Sequence, residues 1–133
     1  MPRPVIRVRI DFAENSHVGP GKIDLLEAIR VSGSLSQAAR DLGMSYRRAW
    51  LLVDSLKLGF REPVTVATTG GKGGGGVTLT QFGEGLVDSY RALERDIAEL
   101  AQRRLRSVIR AVTHSGPQGL PGRRPLARRL SPP

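Results

Sequence analysis

Arg47 and Arg48 are adjacent, follow Ser45 and Tyr46, and stand where an apolar periodicity begins. A guanidinium is a planar fork of donors that fits two acceptors on a guanine edge or two oxygens of a phosphate. Ser45, with the free backbone N–H groups of a helix start, suits a phosphate oxygen. Further along, Lys72 stands alone among Gly70, Gly71, Gly73, Gly74, Gly75 and Gly76. Glycines let a backbone approach a partner closely, and one ammonium at such a tip suits a phosphate or the minor groove. The plain alternative is two solvated arginines on an exposed helix and a hairpin tip without function.

Other chemistries find less support. Gly71, Gly73 and Gly76 satisfy G-x-G-x-x-G, but a short strand and not a helix follows, and no long βαβ unit is available. Gly73 also stands where a P-loop needs Ser or Thr after Lys72. His17 and His114 are far apart and lack ligand partners nearby, which argues against a metal site. Asp24, Glu27 and Asp54 read as exposed helix charges, since no nucleophile or pocket-forming turn accompanies them. The expectation is a protein that is not an enzyme and uses no metal or cofactor.

The elements that position these residues can be read in order. Residues 5–11, VIRVRID, set Val5, Ile6, Val8 and Ile10 against Arg7, Arg9 and Asp11, the period-two pattern of a half-exposed strand. Residues 15–21 read as a loop ending in Gly19-Pro20-Gly21. Residues 21–31 give a helix burying Ile23, Leu25, Leu26, Ala28 and Ile29. Ser34 then caps a helix with Gln37 three residues on, a capping box. That helix buries Leu35, Ala38, Ala39 and Leu42 and closes at Gly43 in a left-handed conformation. Ser45 caps the next, which buries Ala49, Leu52, Val53 and Leu56. Trp50 either packs beside Val53 or lies near a nucleic-acid backbone, and packing is the more frequent use of an indole.

Residues 64–68, VTVAT, and 77–79, VTL, read as two strands joined by the glycine-rich tip. Thr80 caps a long final helix in which Leu86, Leu93 and Leu100 recur every seven residues, with Tyr90 and Ile97 between them. This spacing suits pairing with a second chain. Glu84, Asp88, Glu94, Asp96 and Glu99 outnumber Arg91 and Arg95 there, so that helix suits a dimer better than DNA. The whole is α+β: a winged helix-turn-helix with a long C-terminal dimerisation helix. The expected organisation is residues 1–79 as the winged helix-turn-helix with its N-terminal strand, 80–113 as the dimerisation helix, and 114–133 as a disordered basic tail rich in Pro, Gly and Arg.

The chain has 133 residues, of which 39% are hydrophobic and 5% aromatic, enough for one lean core. With no cysteine, disulfides and thiolate sites are excluded. Arg3, Arg7, Arg9 and Asp11 interrupt any signal-peptide core, and the longest apolar run, Ala49 to Val53, cannot span a bilayer. The expectation is a cytoplasmic protein without a membrane partner. The net charge is +9, yet residues 1–102 hold 13 basic and 12 acidic side chains, while residues 103–133 hold eight arginines and no acid. The basic end favours polyanions without sequence preference, or serves solubility alone.

GSLSQAARDLGMSYRRAW, TTGGKGGGG and LTQFGEGLVDSY closely resemble the N-terminal DNA-binding domain of the ModE family of molybdate-responsive bacterial transcriptional regulators. More distantly the stretch resembles the LysR-type winged helix. The likeness covers roughly residues 5–100. It implies a sequence-specific regulator that binds double-stranded DNA. It implies DNA-facing residues Ser36, Gln37, Ser45, Tyr46, Arg47, Arg48, Thr69, Gly71, Lys72 and Gly73. A homodimer through Leu86, Tyr90, Leu93, Ile97 and Leu100, read from the heptad spacing, would by its two-fold symmetry bind an inverted-repeat operator. ModE proteins carry C-terminal molybdate-binding domains, for which little sequence follows residue 100. The expectation is therefore no molybdate sensing by this chain alone, with a separate effector-sensing partner as the alternative. A nucleoid-type protein binding by charge, or a winged helix that docks another protein, are the competing readings.

Overall fold

The computed structural model describes residues 3–69 and 76–113. The elements are β1 (Ile10–Ala13), β2 (Ser16–Val18), α1 (Pro20–Ser32), α2 (Leu35–Asp41), α3 (Tyr46–Gly59), β3 (Thr65–Thr68), β4 (Gly76–Leu79), α4 (Gln81–Arg104) and α5 (Arg106–Arg110). The fold is α+β: helices with two small antiparallel sheets, β1–β2 and β3–β4. Among the described residues, those from 5 to 99 form one compact unit, and residues 3–4 with 100–113 belong to a second.

The N-terminal strand lies later than the alternation suggested. Residues 5–9 keep alternating exposure but form no sheet, and β1 begins at Ile10. β1 pairs with β2 through Ile10↔Val18 and Asp11↔His17, with a register shift between Asp11 and Ala13. The stretch expected as a loop thus contains a strand. Three residues, two of them polar, leave no periodicity to read.

α1 begins on Pro20, whose fixed φ suits a first helical turn. It ends at Gly33, at φ 71°, whose N–H donates to the Ile29 carbonyl at 2.8 Å. Ser34 caps α2 by accepting from Gln37 N–H at 3.0 Å. Only this half of the capping box forms. The Gln37 amide instead donates to Asp41 at 2.7 Å and accepts from Arg40 at 2.7 Å. Gly43, at φ 70°, turns the chain into α3, which Ser45 caps by accepting from Arg48 N–H at 3.0 Å.

The core of this unit is built on Ile23, Leu25, Leu26 and Ile29 of α1, Ala38 and Ala39 of α2, Ala49 and Leu56 of α3, Leu79 of β4, and Val87 and Tyr90 of α4. The alanines let α2 and α3 approach α1 closely. Phe60 bridges Phe12 and Phe82 with ring centroids 5.8 and 5.5 Å apart. The buried Lys22 ammonium ties β2 to α3, donating to the His17 carbonyl at 3.0 Å and Ser55 Oγ at 2.9 Å. Burial lowers its pKa, and its charge lowers that of His17.

α4 is held to α1 by charge. Arg91 meets Asp24 at 2.7 Å, Glu27 at 2.7 Å and Glu94 at 2.8 Å, and Arg30 meets Glu84 at 2.6 Å. The hydrogen bond from Arg91 holds the Glu27 carboxyl below its ordinary value of 4.5, and these acids in turn raise Arg91. Replacing Arg91 by alanine should cost about 1–2 kcal/mol at neutral pH, because it leaves neighbouring carboxylates uncompensated. The depressed pKa of Glu27 gives this pairing its pH dependence. Its contribution is present above pH 4.5 and lost as pH falls through the lower folded value. Acid unfolding followed by circular dichroism should therefore show a shallower loss of stability below pH 4.5 in the R91A variant than in the parent.

In the second unit, the last turn of α4 leads through Leu105 into α5, where Ile109 is buried. The glycine-rich tip, residues 70–75, and the tail from 114 lie outside the described residues. Among the described residues, no helix is long and apolar enough to cross a membrane.

Candidate nucleic-acid interface

The backbone brings three surfaces to one groove of about 500 Å³. Ser34, Leu35 and Ser36 at the start of α2 form one side. Tyr46, Trp50, Val53, Asp54 and Lys57 of α3 form the floor, and Thr65, Ala67, Gly76 and Val77 of the hairpin form the other side. Tyr46, Trp50, the Val53–Asp54 pair and Lys57 are spaced three or four positions apart, so they share one helix face.

Arg47 and Arg48 are exposed in the first turn of α3 and make no ion pair among the described residues. Ala49 and Leu56 anchor that helix in the core, opposite Arg47 and about a quarter turn from Arg48. The guanidiniums are thus presented outward from a helix whose rotation is fixed. Ser45 and Tyr46 are exposed beside them. The Ser45 hydroxyl caps α3 with one lone pair, which leaves its proton free to donate.

Trp50 lies at the edge of the core, not within it. It is 47% exposed and lines the groove with Val53, because the α3 positions buried in the core are Ala49 and Leu56. The spacing Tyr46, Trp50, Val53, Lys57 was in the sequence and marks this face. Asp54 and Lys57 also line the groove, although no motif singles them out as interface residues.

Ser36 lines the groove, and its hydroxyl is 3.4 Å from that of Ser34. Gln37 is half-buried with its amide engaged by Asp41 and Arg40. Thr69 is exposed just past β3. Gly71, Lys72 and Gly73 lie outside the described residues. The β3–β4 hairpin that leads to them pairs from Thr65↔Leu79 to Thr68↔Gly76.

The heptad residues of α4 are not equivalent. Tyr90 is buried, and its hydroxyl donates to the Val8 carbonyl at 2.5 Å. Desolvation raises its pKa. Leu86 and Ile97 are half-buried, whereas Leu93 and Leu100 are 39% and 41% exposed. The same spacing serves the chain's own core at one position and solvent at others. No cluster of three or more His, Cys, Asp or Glu suited to a metal ion occurs among the described residues.

No protein-family model matches the sequence. Individual relatives do. The molybdenum-pterin-binding protein MopB of Rhodobacter capsulatus is 42% identical over 85 residues, 64% of this chain and 32% of its own. The molybdenum transport protein ModE of Azotobacter vinelandii is 38% identical over 92 residues, 69% of this chain and 34% of its own. The DNA-binding transcriptional dual regulator ModE of Escherichia coli is 42% identical over 88 residues, 66% of this chain and 34% of its own. The chain spans about a third of the length of the relatives it matches. Across about two thirds of its own length it is homologous to the ModE and MopA/MopB proteins, and it is a ModE-like protein.

Proposed function

We propose that the chain is a sequence-specific, DNA-binding transcriptional regulator built on a winged helix-turn-helix. α2 and α3 are the helix pair, α3 enters the major groove, and the β3–β4 hairpin is the wing. The observation that carries this reading is the outward presentation of Arg47 and Arg48 at the start of α3, beside a groove bordered by α2 and the hairpin. Ser36, Ser45, Tyr46 and Thr69 stand around that surface, with Gln37 behind them. Gly71, Lys72 and Gly73 would carry the wing tip to phosphate. Trp50 and Lys57 join this set as backbone contacts, an indole edge and an ammonium for sugar and phosphate.

Residues 1–79 form the reading head and residues 80–113 the arm, and residues 114–133 form a basic tail. Leu86, Leu93, Ile97 and Leu100 would pair two chains, with Tyr90 bracing α4 from beneath. A two-fold dimer binds an inverted repeat. The name of the Escherichia coli relative supports DNA binding and regulation, and the names of the others attach them to molybdenum. We therefore take the regulation to be molybdate-related and the protein to act in the bacterial cytoplasm, not as an enzyme.

Selection from a random duplex library tests this, followed by titration of the winner against scrambled DNA. The expected result is a palindromic consensus bound at least about a thousandfold more tightly than random duplex. Binding without a consensus that vanishes steeply in salt would replace the regulator with a DNA-coating protein. No binding to any duplex would leave a protein-docking module.

A further inference from the structure

The end of α4 and α5 carry Arg103, Arg104, Arg106 and Arg110, all exposed, and residues 100–113 contain no Asp or Glu. None of the four makes an ion pair among the described residues, unlike Arg30 and Arg91, which meet several acids each. Three of them converge. Arg103, Arg106 and Arg110, with Gln102 and Ile109, border one hollow of about 310 Å³. Ile109 is 6% exposed and gives the hollow an apolar wall. Cations gathered round one concavity repel one another, and a low-dielectric wall strengthens that repulsion unless an anion enters.

We propose that Arg103, Arg106 and Arg110 form a second nucleic-acid contact that grips the backbone phosphates of duplex DNA without regard to sequence. The inference rests on the DNA-binding function proposed for the chain and adds to it where the general affinity resides. Three features favour a phosphate backbone as occupant. Guanidinium forks match phosphate oxygens. The hollow offers only Gln102 as a neutral polar side chain, too little to read base edges. Residues 1–102 are nearly balanced in charge, with 13 basic and 12 acidic side chains, so their net charge adds little long-range attraction to a polyanion, whereas residues 103–133 carry eight arginines and no acid. Leu105, Val108 and Val112 are exposed but do not border the hollow, whose charged rim is Arg103, Arg106 and Arg110.

The test uses the full chain and a triple variant, R103A/R106A/R110A, titrated on random duplex over a range of salt. The slope of log affinity against log salt should become shallower by about 3, near one for each phosphate that the variant no longer neutralises. The R103K/R106K/R110K variant, which keeps the charge, should retain the parental slope. An alanine variant with the parental slope overturns the proposal, whether or not an acidic protein is later found on this face. If the triple variant loses its thermal transition, single alanine variants decide: each should lower the slope by about 1, and unchanged slopes overturn the proposal. A parent that binds random duplex without a consensus sinks the regulatory reading and leaves this one standing. A parent that binds no duplex overturns both.

Discussion

Alanine at both Arg47 and Arg48 should remove sequence-specific binding while leaving the thermal transition where it was. Both side chains are exposed and make no ion pair among the described residues, so truncation costs the folded chain little. Each arginine that reads a base should contribute about 1–3 kcal/mol of discrimination, roughly fivefold to 150-fold in affinity. The single variants separate the two residues. Loss confined to the selected duplex marks a base reader and should relax one position of the consensus. Equal loss on selected and random duplex marks a phosphate contact. Unaltered affinity in the double variant would contradict α3 as the reading element. The helix itself is not at risk in these variants, because Ser45 caps it through the Arg48 backbone N–H and not the side chain.

Gly83→Ala should be the most damaging glycine-to-alanine change among the described residues. Thr80 N–H donates to the Val64 carbonyl at 3.0 Å, and Thr80 Oγ1 donates to the Pro63 carbonyl at 2.7 Å while accepting from Gly83 N–H at 2.9 Å. These bonds draw the start of α4 onto the backbone of residues 63–64. A Cβ at Gly83 would run into the Val64 carbonyl oxygen, a backbone atom that cannot step aside. Glycine to alanine inside a helix otherwise stabilises by up to about 1 kcal/mol. Here overpacking should reverse that sign and cost about 2–3 kcal/mol. Gly85, on the same helix and facing another way, is the control. Its added Cβ meets nothing within 4 Å, so Gly85→Ala should hold or raise Tm while Gly83→Ala lowers it. Equal melting temperatures for the two would refute the steric clash.

Local chemistry made much of the centre of the chain readable. Ser34 and Ser45 announce their helices because a hydroxyl there satisfies a free N–H, and Gly43 announces the turn because its φ of 70° penalises other residues. The β-branched residues of β3 marked the hairpin to within a residue. What stayed hidden is held between distant residues. β2 is visible only once β1 is beside it. The exposure of Trp50 depends on which face of α3 the α1 core claims. Tyr90 sits at a heptad position, yet its hydroxyl is bound by Val8, 82 positions earlier in the chain. The Arg91 cluster joins charges from α1 and α4 that read singly as solvated. Of the residues singled out from the sequence, Ser36 and Tyr46 line the groove, while Trp50, Asp54 and Lys57 enter it through the packing of α3 between α2 and the hairpin, which no local pattern records.

The junction at Gly33 has a bearing on how such a protein diversifies. Gly33 ends α1, directly precedes the cap of α2, and accepts the Val77 N–H of β4 at 3.0 Å. A Cβ on Gly76 would lie 2.5 Å from the same Gly33 oxygen, so two bare backbones touch where the hairpin leaves the helices. The gauge between α2 and the root of the hairpin is thus set by main-chain atoms. Side chains lining the groove can be exchanged without resetting that gauge. New binding preferences are therefore open to stepwise mutation on an unchanged frame, and a redesign should vary Tyr46, Trp50 and Lys57 while holding Gly33 and Gly76 constant.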